Sequence, residues 1–434
     1  MNQLLRQKVL IICLTLGLSM CAAQAEDLNE AWTEALGYDP TLQASRSRVA
    51  AAKADLMVAR TGRLPSVSAS AGVTQFDEAP TFDFSGAGVP AVLPLFGGES
   101  MTMADARLTL PLYTGGQVGD GISAAEAMLS VTQFQSTASI QTIKLAVASE
   151  YIGVLRAQSA LAVADANVRS LTAHVRDVDD MFKSGAVARN DYLAAAVSLA
   201  DSEQRKLQAA NRLDLANAAY NRALSRPLAA PVDLDANLPG VDPDLDLTSL
   251  EVLTDIALLN RDELDGLSAA ADAYRYQASS ARASTRPQLG LTGGYMALQN
   301  DFLNRDDFWM VGVGLQWNLF DGGRARKKAS ALSYKAQAVL QERNNLRSLV
   351  ELQVRQAWLR LNETRQRMQL IKRAVEQAEE NLRVVRDRYR NGEGTNTEVL
   401  DAEVLRSRSR SNYDNAIFDA KLALYELARG VGRL

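Results

Sequence analysis

One histidine, two cysteines and eleven prolines in 434 residues leave this chain poor in the residue types that metal and thiol chemistry draw on. A zinc or haem centre needs several His or Cys ligands, so that chemistry is excluded at the outset. No nucleophile, base and acid set is recognisable, and Gly115-Gly116 and Gly322-Gly323 read as turn glycines rather than a nucleotide fingerprint. The chain is therefore predicted to be no enzyme and to need no cofactor and no metal. Aromatics make up only 6%, and no apolar run after the N-terminal region is long enough to span a bilayer as a helix. With 47 basic against 51 acidic residues the net charge is -4, which gives no electrostatic drive toward nucleic acid. What the chain does have is Ala, Leu, Arg, Gln and Glu, a mixture that reads as long helix.

Residues 1–25 carry Arg6 and Lys8, an apolar run from Val9 to Leu18, and the small-residue site Ala23-Gln24-Ala25. That order is a secretory signal, with cleavage expected after Ala25 and loss of both Cys13 and Cys21. The competing reading is a lipoprotein acylated on Cys21, although Met20 stands where a lipobox has a small residue.

Self-comparison shows two copies of one unit. LPLYTGGQ at 110–117 matches WNLFDGGR at 317–324, and MFKSGAVARNDYL at 181–193 matches RYRNGEGTNTEVL at 388–400, both at an offset of 207. Upstream, Ala35–Leu42 matches Ala257–Leu264 at an offset of 222, because the first copy holds an extra Pro/Gly-rich loop from Asp77 to Gly98. The reading is a first repeat at 26–225, a Pro/Asp-rich crossover at 226–247 and a second repeat at 248–434. Period-two alternation predicts strands at about 64–75, 102–113, 287–298 and 308–319, each near the ten residues that a tilted strand needs to cross a bilayer. Tyr113, Trp309, Trp317 and Phe320 lie near the strand ends, where an aromatic girdle would sit. Two soluble hairpins packed on helices remain the alternative.

Each hairpin leads into a very long helix. Arg324 to Asn391 contains neither Gly nor Pro, and at about 1.5 Å per residue it would reach roughly 100 Å. Heptad steps run from Val354 through Leu361, Thr364, Val375 and Leu382 to Tyr389, and in the same register from Val147 to Phe182. Each seam ends at a turn, near 185 and near 392, and a returning helix follows. The lone His174 falls within the first heptad helix, on a packed or solvated face.

Four strands cannot close a barrel, and an open edge in lipid leaves backbone groups unpaired, so several chains must pool their hairpins. Residue patterns alone do not separate two, three or four copies. The chain resembles the TolC-like outer-membrane factors of Gram-negative export systems. The resemblance covers essentially the whole mature chain: the AEDL start, the LYTGG and LFDGG joints, and the turns GAVARND and GEGTNTEVLDAE. It implies a mainly α protein with membrane β structure, a homotrimer whose twelve-stranded barrel in outer-membrane lipid continues as an α-helical barrel across the periplasm. It also implies docking to a periplasmic adaptor protein and an inner-membrane transporter, in a tripartite efflux pump or a type I secretion system.

Residue by residue, the family's docking tips land on Gly185, Val187, Ala188, Arg189 and Asn190, and on Gly392, Thr395 and Asn396. Its acidic periplasmic gate falls on Glu398 and Asp401, and Asp191 and Tyr389 match positions that link neighbouring helices in the closed state. Gly394 stands where one family pattern has a basic residue. Read without the resemblance, Glu398 and Asp401 are equally solvated acids at a helix start. A non-pore extracellular coiled-coil adhesin or scaffold is the rival function. The cargo, whether drug, metal or protein, is not legible.

Overall fold

Asp27 and Glu30 begin the ordered helices. The Glu30 amide donates to Asp27 Oδ1 at 2.8 Å and the Asp27 amide donates to Glu30 Oε2 at 3.1 Å, a reciprocal cap that starts α1 at Leu28–Tyr38. Asp39 then accepts from the Leu42 amide at 2.8 Å, and Pro40 takes the first position of α2, Pro40–Thr61, where its missing N–H costs nothing. This computed structural model describes residues 25–83, 86, 92–94, 99–240, 249–299 and 305–434. The predicted signal segment up to residue 24, with Cys13 and Cys21, and the crossover residues 241–248 lie outside the described residues.

The remaining elements follow in chain order: β1 Ser66–Gln75, β2 Thr81–Asp83, β3 Val92–Pro94, β4 Ser100–Tyr113, α3 Gln117–Lys183 and α4 Arg189–Ala223. The second repeat gives α5 Leu250–Asn260, α6 Asp262–Ala283, β5 Gln288–Leu298, β6 Asp307–Gln316, α7 Arg324–Arg390 and α8 Asn396–Gly430. The four long strands and both long helices lie where alternation and heptads predict them. The extra loop of the first repeat is a correction, because it carries the short antiparallel pair β2–β3. Among the described residues no helix is long and apolar enough to cross a membrane.

The chain forms two compact units, and neither is a sequence repeat. One holds residues up to 43, 138–261 and 349–434; the other holds 44–137 and 262–348. Each draws on both repeats: the two hairpins join edge to edge through β4 and β5, and the helices of the two repeats pack on one another.

In the first unit, α1 lies against α3 through Leu28, Ala31, Ala35, Val147, Tyr151 and Ile152, all fully buried, together with Tyr220 and Tyr425. Full burial of each large side chain contributes roughly 1.5–3 kcal/mol. The chain start is strapped to the crossover: the Glu26 amide donates to the Asp233 carbonyl at 2.9 Å, and the Asp235 amide donates back to Glu26 at 3.0 Å. The Tyr151 hydroxyl lies 2.6 Å from the Glu26 carbonyl and 2.7 Å from that of Asp235, bridging the two strands of this strap. Arg226 closes it with both guanidinium edges, one on the Glu26 carboxylate and one on Glu34. A seam of small residues joins the two returning helices. Ala195, Ser202 and Ala209 of α4, and Ala402, Ser409, Ala416 and Ala423 of α8, recur every seventh residue and are buried, which lets the two backbones come close.

In the second unit the sheet order is β1-β4-β5-β6, all antiparallel. Register places Val67, Leu108, Gly293 and Val311 in one row, and Ala69, Ala106, Tyr295 and Trp309 in the next. Leu110, Leu291 and Val313 continue this apolar face. The opposite face carries Ser66, Thr109, Thr292, Ser68, Arg107, Asp105 and Ser70, with Met296, Phe308 and Met310 toward the end farther from the helices. The apolar face is uncovered: Val67 is 73% exposed, Val311 82% and Trp309 78%. β1 and β6 are the edges, with no further partner strand among the described residues. At the first strand-to-helix joint Gly115 has φ +60, and a Cβ there would come within 2.6 Å of Arg286, whose guanidinium donates to the Gly115 carbonyl at 2.8 Å.

Arg226 sets a pH-dependent part of the stability. Its hydrogen bond and charge hold the Glu34 carboxyl below its ordinary 4.5, so the stability from this contact is complete above that value and is lost as pH falls through the lower folded value. Arg226→Gln is expected to cost about 2 kcal/mol at neutral pH, and less in acid. Chemical denaturation followed by far-UV circular dichroism at pH 7 and pH 3.5 checks both the loss and its shrinkage.

Candidate functional site

Both long helices of the first unit end in the same way. The Ala186 amide reaches back to the Met181 carbonyl at 2.8 Å, and the Glu393 amide to that of Arg388 at 2.9 Å. Gly185 at φ +76 and Gly392 at φ +78 make these reversals possible without strain, and nothing lies within 4 Å of the place where a Cβ would stand. The turns are thus open to a partner on their outer side. Ala188, Arg189 and Asn190 are exposed there, while Val187 is half-buried against the apolar cluster below.

That cluster is Val178, Ala195, Leu382, Tyr389, Val399 and Ala402, drawn from all four helices that meet under the turns. Through it runs a polar chain. His174 Nε2 lies 2.8 Å from Asn396 Oδ1, and Asn396 Nδ2 donates to the Asp191 carbonyl at 3.0 Å, which assigns the proton to Nε2 of the imidazole. The Tyr389 ring packs 5.6 Å from His174 between centroids. Burial holds the His174 imidazole below its ordinary 6.5, with the Arg386 charge adding to the effect, and burial beside the Asp191 carboxylate pushes the Tyr389 hydroxyl up.

One heptad further along α8 is Glu403, which is 1% exposed. It is paired with Arg386 of α7, with Arg406 at 3.2 Å, and with the Ser170 hydroxyl of α3 at 2.8 Å. A buried carboxylate so fully paired is held strongly in place, because removing any one partner leaves a charge unpaired in the interior. Arg390 adds an outer bond to Asp177 at 2.7 Å.

The sequence-derived assignments fare unequally. Asn396 is a correction: it is 4% exposed and sits inside the helix junction, since its amide satisfies both His174 and the Asp191 backbone, so it does not present itself at a docking tip. Thr395 caps α8, accepting from the Glu398 amide at 3.3 Å while Glu398 Oε2 accepts from the Thr395 amide at 3.0 Å. Within one chain the Glu398 carboxylate is therefore a helix-start acid. Asp401 is exposed and has no hydrogen bond or ion pair among the described residues. Asp191 contributes to the junction through its backbone carbonyl. Sequence reading missed Glu403, Arg386 and the role of His174. The available signal was seven-residue spacing beside the seams, Asn167 to His174 and Asn396 to Glu403.

In the second unit Tyr113, Trp317 and Phe320 are exposed at the helix end of the sheet, and Trp309 lies roughly 25 Å along the strand from Trp317. At the tilt of about 35–45° usual in outer-membrane barrels that is a rise of roughly 20 Å, comparable to the height of the apolar band. Trp317 Nε1 donates to the Thr285 carbonyl at 3.1 Å, and Trp309 packs on Tyr295 with ring centroids 5.1 Å apart.

Comparison with known proteins follows the same lines. The sequence profile described as "Outer membrane efflux protein" matches residues 32–226 and 253–433. The chain is 24% identical to the outer membrane protein TolC of Vibrio cholerae over 98% of its own length and 95% of that protein. It is 26% identical to the alkaline protease secretion protein AprF of Pseudomonas aeruginosa, over 69% of this chain and 64% of that protein, just under two-thirds of its length. Among solved structures, the CmeC outer membrane channel of Campylobacter jejuni superposes with a TM-score of 0.80 at 16% identity, covering 94% of this chain and 86% of that one.

Asn396→Ala leaves His174 and the Asp191 carbonyl without partners and is expected to cost about 1–3 kcal/mol. It should raise amide hydrogen exchange at 184–188 and 391–395. Because folding depresses the His174 proton affinity, the unfolded chain binds the extra proton first. Stability should therefore fall as pH drops below about 6.5 and level off below the lower folded value. His174→Gln should flatten that limb in a pH series of the same exchange measurement.

Proposed function

Because the chain belongs to the outer membrane efflux protein family and is an exit duct of the outer membrane for efflux or secretion, we propose that three copies pool their sheets into one twelve-stranded barrel. The observation that carries this is the β1-β4-β5-β6 sheet, with two unpaired edges and an uncovered apolar face. In hydrocarbon each unpaired backbone group costs several kcal/mol, and closure between β6 of one copy and β1 of the next removes every edge. Twelve strands leave a bore wide enough for cargo, which four or eight do not. The duct is passive. Its helices continue the bore through the periplasm, and the turns at Gly185 and Gly392 dock a periplasmic adaptor that connects to an inner-membrane transporter.

The gate in this reading is the pair Glu398 and Asp401, whose three-residue step puts both on one exposed face of α8. Threefold symmetry turns them into two stacked rings of carboxylates. Glu398 then has two tasks, capping its own helix and presenting its free oxygen to the axis. A drug-efflux role and a type I secretion role share this outer component. The partial match to a protease secretion protein favours secretion as the second reading to test.

Single-channel conductance in planar bilayers tests the duct and its gate together. The parent is expected to be cation-selective and blocked from the helix side by millimolar divalent cations. Glu398→Gln with Asp401→Asn should lose both properties while the helices and trimer persist; undiminished block in that variant removes the carboxylates from the gate. Gly185→Trp and Gly392→Trp fill open space at positive φ, each costing about 1 kcal/mol of local strain. Either should abolish export and leave conductance unchanged.

A further inference from the structure

The joint between β6 and α7 carries charge that its own geometry does not need. Arg324, Arg326, Lys327 and Lys328 occupy the first five positions of α7, where the helix dipole disfavours cations. All four are exposed, and none makes an ion pair among the described residues. The nearest carboxylate in sequence, Asp321, is committed to backbone: it accepts from the Gly323 amide at 2.8 Å and the Ala325 amide at 2.7 Å. The joint of the first repeat makes the same strand-to-helix reversal with Gln117, Gly119, Asp120 and Gly121 in the matching positions. The cluster is therefore not a requirement of the turn, and a charge arrangement that local helix physics disfavours points to an outside partner.

The wheel of α7 divides the four cations. Ala325 and Ala329 are buried, and Arg324 and Lys328, with Ala325 between them, line a concavity of mixed character shared with Asp55, Gln117 and Gln277. At about 100° per residue, Arg326 points away from that concavity and Lys327 away from the packed side. Immediately before this helix the chain exposes Trp317 at 54%, Leu319 at 76% and Phe320 at 87%. Exposed rings followed within one reversal by unpaired cations reproduce the order of a membrane interface, in which acyl chains give way to headgroup phosphates.

We propose that Arg326 and Lys327 bind the phosphate of an anionic glycerophospholipid in the leaflet that borders the helices, with Trp317 and Phe320 seated at its acyl boundary. The Arg326 guanidinium can take two phosphate oxygens in its fork, and the Lys327 ammonium adds a point charge. This inference rests on the sheet lying in lipid. A cation beside an anionic membrane surface strengthens binding roughly fivefold, so the pair should favour an anionic over a zwitterionic lipid by about tenfold or more at low salt.

Tryptophan fluorescence of the full-length protein reconstituted in vesicles of brominated phosphatidylcholine, with increasing unbrominated phosphatidylglycerol, reads this preference directly. For the parent, phosphatidylglycerol should displace the quencher at a small fraction of the bilayer, and high salt should weaken the effect. Arg326→Gln with Lys327→Gln should bring the preference close to one, Arg326→Lys should keep most of it, and Arg205→Gln, on α4, should not change it. Quenching by phosphatidylcholine with no anionic preference, or a preference unchanged in the double variant, overturns the lipid site and leaves the barrel standing. No quenching by any vesicle overturns the membrane placement of the sheet as well.

Discussion

β1 and β6, ten residues each, are paired on their inner sides only, and the backbone donors and acceptors that point outward from them have no partner strand among the described residues. Water can satisfy such groups and hydrocarbon cannot. Yet the face between those edges is built for hydrocarbon: valine, leucine, alanine and tryptophan rows lie uncovered on one side, with serine, threonine and charge on the other. A sheet with a lipid-compatible face and lipid-incompatible edges is incomplete by construction. The proposed pooling of sheets from several copies rests on that mismatch.

The helical unit solves a different problem. Polar helices too hydrophilic for lipid must bury narrow seams, and they do so in two ways. Long helices α3 and α7 use aliphatic heptads that end at Val178 and Leu382. The returning helices α4 and α8 use alanine and serine at every seventh position, which trades side-chain burial for close approach of the backbones. Near the turns the seams give way to buried polar groups. His174, Asn396, Glu403 and Arg386 tie α3, α4, α7 and α8 to one another through contacts with strict geometry. Fully satisfied, such a junction rigidifies the arrangement, and a group left without its partner there is costly.

Charge is arranged with similar economy. Several ion pairs of the described residues join neighbouring turns of one exposed helix, where each is worth little. Others connect distant segments, and the more buried of these join Arg226 to the chain start, Arg386 to α8, and Arg156 and Arg367 to Asp419. The cations of α7 at the sheet joint and the carboxylate of Asp401 on α8 belong to neither group. Both are groups without internal partners among the described residues, and for that reason each is proposed to meet an outside partner.

The sequence by itself determined the elements and the repeat. Local patterns carry that information, because alternation marks a half-exposed strand, heptads mark a packed helix, and a glycine between them marks the reversal; hence the strands at 66–75, 100–113, 288–298 and 307–316 and the two turns were legible to within a few residues. The sequence also carried the small-residue steps of α4 and α8 and the polar steps beside the seams, although these went unread because alanine, serine and a lone histidine have no period that stands out from helical background. Tertiary structure alone decided what those residues do. Asn396 looks like any exposed turn residue until α3 brings His174 to it across 222 positions of chain, and Glu403 looks like a solvated acid until α7 and α3 enclose it. Burial and partnership are properties of pairs distant in sequence; the seven-residue steps mark where these residues stand on their helices, and not what they meet. The division into units that each mix both repeats was hidden for the same reason: it follows from which faces cover which, and that is settled only when the chain has folded.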